Sequence, residues 1–154
     1  MADEDIVEIW TDGGCKPNPG AGGWGAILVF KGTQKELSGG DPNTTNNRME
    51  MTAAAEALET LKRPCKVILH TDSEYLKNGI TRWMTGWVRK NWRNASGDPV
   101  KNMDLWQRIL TAAKAHDIEW KWVRSHVGIA LNERADVLAT EAREAAVAAA
   151  RGRK

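Results

Sequence analysis

The stretch IVEIWTDGG, residues 6–14, decides the fold, because a β-prone run of residues stops abruptly at an acidic Gly-rich segment. Its first six residues mix β-branched and aromatic side chains and predict a strand, and its Asp-Gly-Gly end predicts a turn. A second stretch, KVILHTDSE at residues 66–74, repeats the order of apolar residues, Thr, Asp and a small residue. The shared pattern predicts two strands, residues 6–11 and 66–71, each followed by an aspartate: Asp12 after the first and Asp72 after the second.

The segments around these two strands complete an α/β pattern. Residues 24–30 and 33–38 predict two strands, and the short connections favour an antiparallel meander with the first strand. A helix with Thr44 as its N-cap is predicted to run to about residue 62, so the strand after it should lie parallel to the first strand. The other predicted elements are loops at 16–23 and 39–43, a short helix from about 73, a helix at 103–116, a strand at 118–123 and a helix from about 131 into an Ala-rich tail at about 141–154.

Length and composition predict one domain, residues 1–154, because 154 residues are too few for two ordinary domains. The formal net charge of +2 is only mildly basic, so any nucleic-acid surface must come from local clustering of charge. The two cysteines, Cys15 and Cys65, predict free thiols in a reducing cytoplasm. We expect no signal peptide and no membrane association, because the chain shows neither a basic segment followed by an apolar run nor about 20 consecutive apolar residues.

Glu50 occupies an unusual position on the helix predicted after Thr44. Its neighbours on the same face are apolar: Ala53, Ala54, Ala57 and Leu58. An ionised carboxylate on a buried face is unfavourable unless it is paired or holds a metal ion. The alternative is a carboxylate near the helix end that reaches water.

Three further carboxylates and one histidine are candidates for the same site. Asp12 and Asp72 should emerge side by side at the C-terminal ends of parallel strands, where open α/β sheets bind ligands; a turn or N-cap role is the alternative for each. Asp136 lies within two turns of the start of the last helix, where the helix dipole alone also favours a carboxylate. His126, on a predicted loop, is a candidate proton shuttle near neutral pH, or an uninvolved surface histidine.

Four converging carboxylates cannot all remain ionised without protons or cations. Oxygen ligands without a Cys/His cluster favour Mg²⁺, with Mn²⁺ as a possible substitute, over zinc. Sites of this kind commonly hold two ions about 4 Å apart and catalyse phosphoryl transfer.

Residues 81–102 interleave aromatic and basic side chains. The aromatic members are Trp83, Trp87 and Trp92, and the basic ones are Arg82, Arg89, Lys90, Arg93 and Lys101. Phosphate-binding charges alternating with stacking surfaces are typical of a nucleic-acid interface. The alternative is that these tryptophans pack short helices together, as Trp106, Trp120 and Trp122 are expected to do in the core.

Six motifs in order resemble those of bacterial type 1 ribonuclease H along almost the whole chain. They are TDGGCKPNPGAGGWGAIL (11–28), TTNNRMEMTAAAEAL (44–58), LHTDSEYLKNGI (69–80), WVRKNWRN (87–94), PVKNMDLWQ (99–107) and HVGIALNERAD (126–136). The resemblance implies an α/β RNase H-like fold, in which a five-stranded mixed sheet (three antiparallel strands, then parallel strands) carries helices on both faces. It also implies an endonuclease that cuts the RNA strand of RNA–DNA hybrids, with little sequence specificity, leaving 5′-phosphate and 3′-hydroxyl ends.

The resemblance further implies roles for individual residues. Asp12, Glu50, Asp72 and Asp136 would be the catalytic carboxylates that bind two Mg²⁺ ions, and His126 would assist catalysis and product release. Apart from those that grip the DNA strand, the residues implied to contact the hybrid are Cys15, Asn18, Thr45, Asn46, Glu74 and Asn102. Those implied to grip the DNA strand, in a basic protrusion at about 81–102, are Trp83, Trp87, Arg89, Lys90 and Arg93. Glu74 stands where an amide is common in the family, and Asn43 where a basic residue can occur.

Two other functions remain possible from the residues alone. One is a different nuclease of the same fold, such as a Holliday-junction resolvase or a transposase core, against which the basic protrusion argues. The other is a module that binds hybrids without cutting them, against which the presence of all four carboxylates argues. No obligate protein partner is evident, and a monomer is expected.

Overall fold

The computed structural model describes residues 6–123 and 130–151. Its strands are β1 (Ile6–Cys15), β2 (Gly20–Phe30), β3 (Thr33–Thr44), β4 (Lys66–Thr71) and β5 (Asp117–Trp122). Its α-helices are α1 (Asn46–Thr60), α2 (Glu74–Asn78), α3 (Met84–Arg89), α4 (Met103–Ala115) and α5 (Ala130–Arg151). A π-helical turn, Gly79–Trp83, joins α2 to α3.

The strands form one five-stranded sheet in the order β3-β2-β1-β4-β5. β1 pairs with β2 and β2 with β3 in antiparallel fashion, whereas β1 pairs with β4 and β4 with β5 in parallel. The predicted mixed sheet, with three antiparallel strands followed by parallel ones, is confirmed. The helical crossover through α1 therefore places the C-terminal ends of β1 and β4 next to each other.

The first three strands are longer than predicted, because Gly-rich segments interpreted as turns and loops are extended strand. β1 continues through Asp12 to Cys15, β2 begins at Gly20, and β3 continues to Thr44. Thr44 is consequently the last residue of β3 and not the helix cap. The N-cap of α1 is Thr45, whose side-chain hydroxyl accepts a hydrogen bond from the Arg48 N–H at 3.2 Å.

The strand glycines allow α5 to lie close to the sheet. A Cβ added at Gly25 would stand 2.6 Å from the Ala135 carbonyl oxygen, and one at Gly40 would stand 2.5 Å from that of Ala142. Neither approach is possible for a residue with a side chain, so these glycines serve close packing within strands. The loops predicted at 16–23 and 39–43 were wrong in part, because residues 20–23 belong to β2 and residues 39–43 belong to β3.

Each face of the sheet has its own packing partners. The small side chains of α1, among them Ala53, Ala54 and Ala57, are fully buried on one face together with Trp106 of α4. On the other face, Ile27 of β2 packs against Ala135 and Leu138 of α5. In the described part of the chain, no helix is both long enough and apolar enough to cross a bilayer.

Candidate active site

Gly13 brings the start of α1 against β1. A Cβ added at this position would lie 2.5 Å from the Met49 carbonyl carbon and 2.6 Å from the Glu50 nitrogen. Backbone therefore contacts backbone here, and Glu50 is placed beside Asp12, the buried residue that precedes Gly13. The glycine after the first aspartate thus positions a carboxylate from a different element.

Asp72 reaches the same place through strand pairing. Trp10 and His70 are partners in the parallel β1–β4 ladder, and each lies two residues before an aspartate, Asp12 or Asp72. Ser73 then caps α2, because its hydroxyl accepts a hydrogen bond from the Leu76 N–H at 3.0 Å. The chain turns into a helix immediately after Asp72, which leaves this carboxylate at the strand end.

The three carboxyl groups interact electrostatically. Burial, the neighbouring carboxylates of Asp72 and Asp12, and a hydrogen bond to Asp72 together raise the pKa of Glu50 from 4.5 to about 8. A hydrogen bond with Ser73 opposes this rise in the pKa of Glu50. At neutral pH and without a cation, Glu50 therefore holds a proton, so the cluster does not carry its full negative charge.

Asp136 belongs to the helix that packs next to this cluster. Gly25, which pairs with Asp12 in the β1–β2 ladder, lies against the Ala135 carbonyl at the start of α5. Asp136 itself is exposed on α5. The structure thus brings together Asp12, Glu50 and Asp72 and places Asp136 on a neighbouring helix, whereas His126 lies outside the described residues.

The donor set suits a hard divalent cation, although it does not form a closed cage. Within residues 6–123 and 130–151, no three acidic, His or Cys side chains are spaced to surround a single metal ion. The donors are carboxylate oxygens, which Mg²⁺ prefers. A cation among them would offset the burial and the repulsion that keep Glu50 protonated.

Four of the predicted nucleic-acid contacts form one patch where the start of α1 meets the end of β1. The Asn46 side-chain oxygen accepts a hydrogen bond from the Cys15 N–H at 2.7 Å. The Asn18 side-chain oxygen accepts one from the Asn46 N–H at 3.2 Å and one from the Cys15 thiol at 3.3 Å. With the Thr45 cap beside them, these polar groups are ordered by one another next to Glu50.

Asn102, the fifth such residue, lies at the start of α4 and is tied to both α1 and α2. Its side chain accepts a hydrogen bond from Arg48 at 3.1 Å and donates one to the Tyr75 hydroxyl at 3.1 Å. Arg48 also forms an ion pair with Asp104 at 2.7 Å. We did not predict Arg48, Tyr75 or Asp104 as functional residues, although each lies inside one of the quoted motifs.

The predicted protrusion is a helical segment with an aromatic core. Trp87 packs against Trp106 with ring centres 5.3 Å apart and against Trp92 at 6.1 Å, so the partly buried rings of Trp87 and Trp92 help to pack this segment. Trp83 lies 5.8 Å from both Tyr75 and Trp87 and is 38% exposed. Trp83 therefore offers the accessible aromatic surface of this segment.

The basic residues of the protrusion are exposed on and after α3. Arg89, Lys90 and Arg93 all lie on the surface. The Arg93 guanidinium donates a hydrogen bond to the Gly97 carbonyl at 2.8 Å, which holds the turn that follows. Glu74, the first residue of α2, is exposed as well and follows the Asp72-Ser73 corner directly.

Comparison with known proteins gives one consistent result. The family model described as RNase H matches residues 4–144. A protein named ribonuclease H from Granulibacter bethesdensis is 73% identical over 143 residues, which cover 93% of this chain and 95% of the relative. Another of that name, from Gluconobacter oxydans, is 76% identical over 138 residues and covers 90% of this chain and 92% of the relative.

Solved structures agree at the level of the fold. LC9-RNase H1, described as a type 1 RNase H with the type 2 active-site motif, superposes with a TM-score of 0.80 and 32% identity, covering 92% of this chain and 73% of that one. LC11-RNase H1, solved in complex with an RNA/DNA hybrid, gives a TM-score of 0.69 at 24% identity, covering 92% of this chain and 99% of that one. The second likeness supports the fold alone.

Proposed function

The chain belongs to the RNase H family, and from this premise we propose that it is an endonuclease that hydrolyses the RNA strand of RNA–DNA hybrids. The observation that carries the proposal is the gathering of Asp12, Glu50 and Asp72 beside a patch of ordered polar groups. Carboxylates that lie close enough to repel one another are typical of sites where metal ions assist phosphodiester hydrolysis. The expected products carry 5′-phosphate and 3′-hydroxyl ends.

The family depends on divalent metal ions, and for this chain the proposed ion is Mg²⁺, two per site, with Mn²⁺ as a substitute. Asp12, Glu50, Asp72 and Asp136 would hold the ions. When bound, the ions would supply the positive charge needed to activate a water molecule and to stabilise the leaving 3′ oxygen. The protein contributes oriented carboxylates, and His126 is proposed to transfer protons and assist product release.

Two surfaces are proposed to hold the hybrid. The patch around Cys15, Asn18, Thr45 and Asn46, with Asn102 nearby, would contact sugar and phosphate next to the carboxylates. Glu74 would accept a hydrogen bond from a guanine amino group of the hybrid or alter the metal affinity of the site. The protrusion would hold the DNA strand through Trp83, Trp87, Arg89, Lys90 and Arg93. Recognition by shape and 2′-hydroxyls makes cleavage nearly independent of sequence, and phosphate contacts make binding weaker as salt rises.

The proposal also includes the domain organisation, localisation and oligomeric state of the enzyme. Residues 1–154 would act as one catalytic domain in the cytoplasm, as a monomer without an obligate protein partner. The Ala-rich tail beyond residue 141 extends α5, which continues as helix to Arg151.

The test uses a substrate panel with each strand labelled in turn. The panel contains an RNA–DNA hybrid, duplex DNA, duplex RNA and branched DNA, each with Mg²⁺ and with EDTA. We expect cleavage of the RNA strand of the hybrid alone, and only with Mg²⁺. Cleavage of branched DNA would favour a resolvase of the same fold, and binding without cleavage would favour the non-catalytic module.

Asp12→Asn is expected to abolish hybrid cleavage while leaving hybrid binding largely intact, because it removes a charge from the carboxylate cluster and preserves the shape of the side chain. Cleavage rates and equilibrium binding by fluorescence anisotropy measure the two properties separately. Undiminished cleavage by this variant would remove Asp12 from the mechanism.

A further inference from the structure

The side-chain amide of Asn102 is held at both ends. Its oxygen accepts a hydrogen bond from the Arg48 guanidinium at 3.1 Å, and its nitrogen donates one to the Tyr75 hydroxyl at 3.1 Å. A guanidinium carries donors only, so the amide oxygen must be the atom that faces Arg48. A reversed amide would place N–H groups against a cation, and this chemistry fixes its orientation.

Arg48 is itself held by a second residue of α4. Its guanidinium forms two hydrogen bonds with the Asp104 carboxylate, at 3.0 and 2.7 Å. This fork-to-fork geometry restricts the plane of the guanidinium, so that its contact with Asn102 has a defined direction. The pair joins the first two turns of α1, which carry Asn46 and Glu50, to the first turn of α4.

We propose that Arg48 is a positioning residue for hybrid binding, which acts by orienting the Asn102 amide. Each end of that amide uses part of its bonding capacity inside the protein, which leaves one N–H and one acceptor position for the sugar-phosphate backbone. The proposal rests on the function proposed above. It adds a specific requirement for arginine, because the single ammonium of lysine cannot reproduce the planar fork.

The test compares Arg48→Lys, Asn102→Gly and the double variant in hybrid cleavage and in equilibrium binding. Glycine suits this position because the backbone of Asn102 is left-handed, with φ of 60°. We expect Arg48→Lys to raise KM and Kd about fivefold, the value of roughly one oriented hydrogen bond, with kcat changed less than about twofold. In the Asn102→Gly background the same lysine substitution should have no further effect, because the group it orients is gone.

Arg108→Lys is the matched control. Arg108 also joins α4 to α1, through Glu56 at 2.9 Å and Glu59 at 2.6 Å, but farther along α1 from the carboxylates. We expect Arg108→Lys to keep the KM and Kd of the wild type. Its loss of thermal stability should be similar to that of Arg48→Lys.

Several results would overturn the positioning role. An unchanged KM in Arg48→Lys would do so, as would an equal rise in Arg108→Lys, which would assign the effect to helix packing. An undiminished effect of Arg48→Lys in the Asn102→Gly background would show that Arg48 touches the hybrid itself. Failure of the wild type to cleave the hybrid would instead reject the proposed function, and the comparison of Kd values would still decide the role of Arg48. If the wild type did not bind the hybrid at all, both the proposed function and the positioning role would be rejected.

Discussion

Glu50→Gln should make the metal-free protein more stable at alkaline pH and leave it nearly unchanged in mild acid. Burial and the charges of Asp72 and Asp12 raise the pKa of Glu50 from 4.5 to about 8 in the folded protein. In the unfolded chain the same carboxyl loses its proton near its ordinary pKa. The unfolded state therefore binds fewer protons between these two values, and the stability of the wild type falls as pH rises through this window.

The size of the effect follows from the shift in the pKa of Glu50. At about 1.4 kcal/mol for each tenfold change in proton affinity, the upper limit is about 5 kcal/mol. Glu50 is only partly buried, so solvent screening reduces the expected gain of the variant to about 2 kcal/mol above pH 8. At about pH 5 the carboxyl is protonated in the folded protein, and the gain should approach zero.

Urea unfolding in EDTA, followed by tryptophan fluorescence at several pH values, measures this difference. Glu144→Gln, which removes an exposed carboxyl on α5, is the matched control and should track the wild type at every pH. Excess Mg²⁺ should restore stability to the wild type above pH 8 and do so less in the Gln variant. A stability difference between Glu50→Gln and wild type that stays constant from pH 5 to 9 would refute the reasoning.

Two substitutions test the packing that positions the site. Gly13→Ala should abolish most hybrid cleavage and lower the free energy of unfolding by about 2 kcal/mol. The added Cβ would lie 2.5 Å from the Met49 carbonyl carbon and push α1 away from β1. Activity and a urea midpoint like those of the wild type would contradict this. Trp106→Ala should cost about 4 kcal/mol, since this fully buried ring also fills the space against Gly79, and a loss below about 1 kcal/mol by chemical denaturation would show that the cavity collapses.

Much of the fold could be predicted because local patterns and topology agreed. The β4 strand was predicted with its observed bounds, and the parallel placement of Asp12 beside Asp72 followed from the crossover between their strands. The extents of β1, β2 and β3 could not be predicted, because glycine inside a strand has the same appearance in sequence as glycine in a turn. The reason for a glycine at position 25 becomes clear only from the structure, in which α5 packs directly against it.

The candidate site was predictable in its charges and not in its supporting contacts. Glu50 was identified because a carboxylate interrupted an apolar helical face, and the structure places it among the carboxylates that were expected. Arg48 and Asp104 had no such signal, since each is an ordinary surface residue in its own helix. Their ion pair arises from the way that α1 and α4 pack, which joins residues far apart in the chain.

Helix α1 connects the proposed catalytic residues to the proposed hybrid-binding residues. Its first turns carry Glu50 and the capping Thr45, its flank bonds to Asn102 through Arg48, and its Ala-rich side is pressed into the sheet. Because the Thr45 cap and Glu50 lie at the same end of α1, a substitution that displaces the backbone at the start of this helix should also move Glu50, whereas a change confined to the side chain of Arg48 should not. Attempts to alter substrate preference independently of turnover should therefore begin at Trp83 and the exposed cations after it, which are anchored elsewhere.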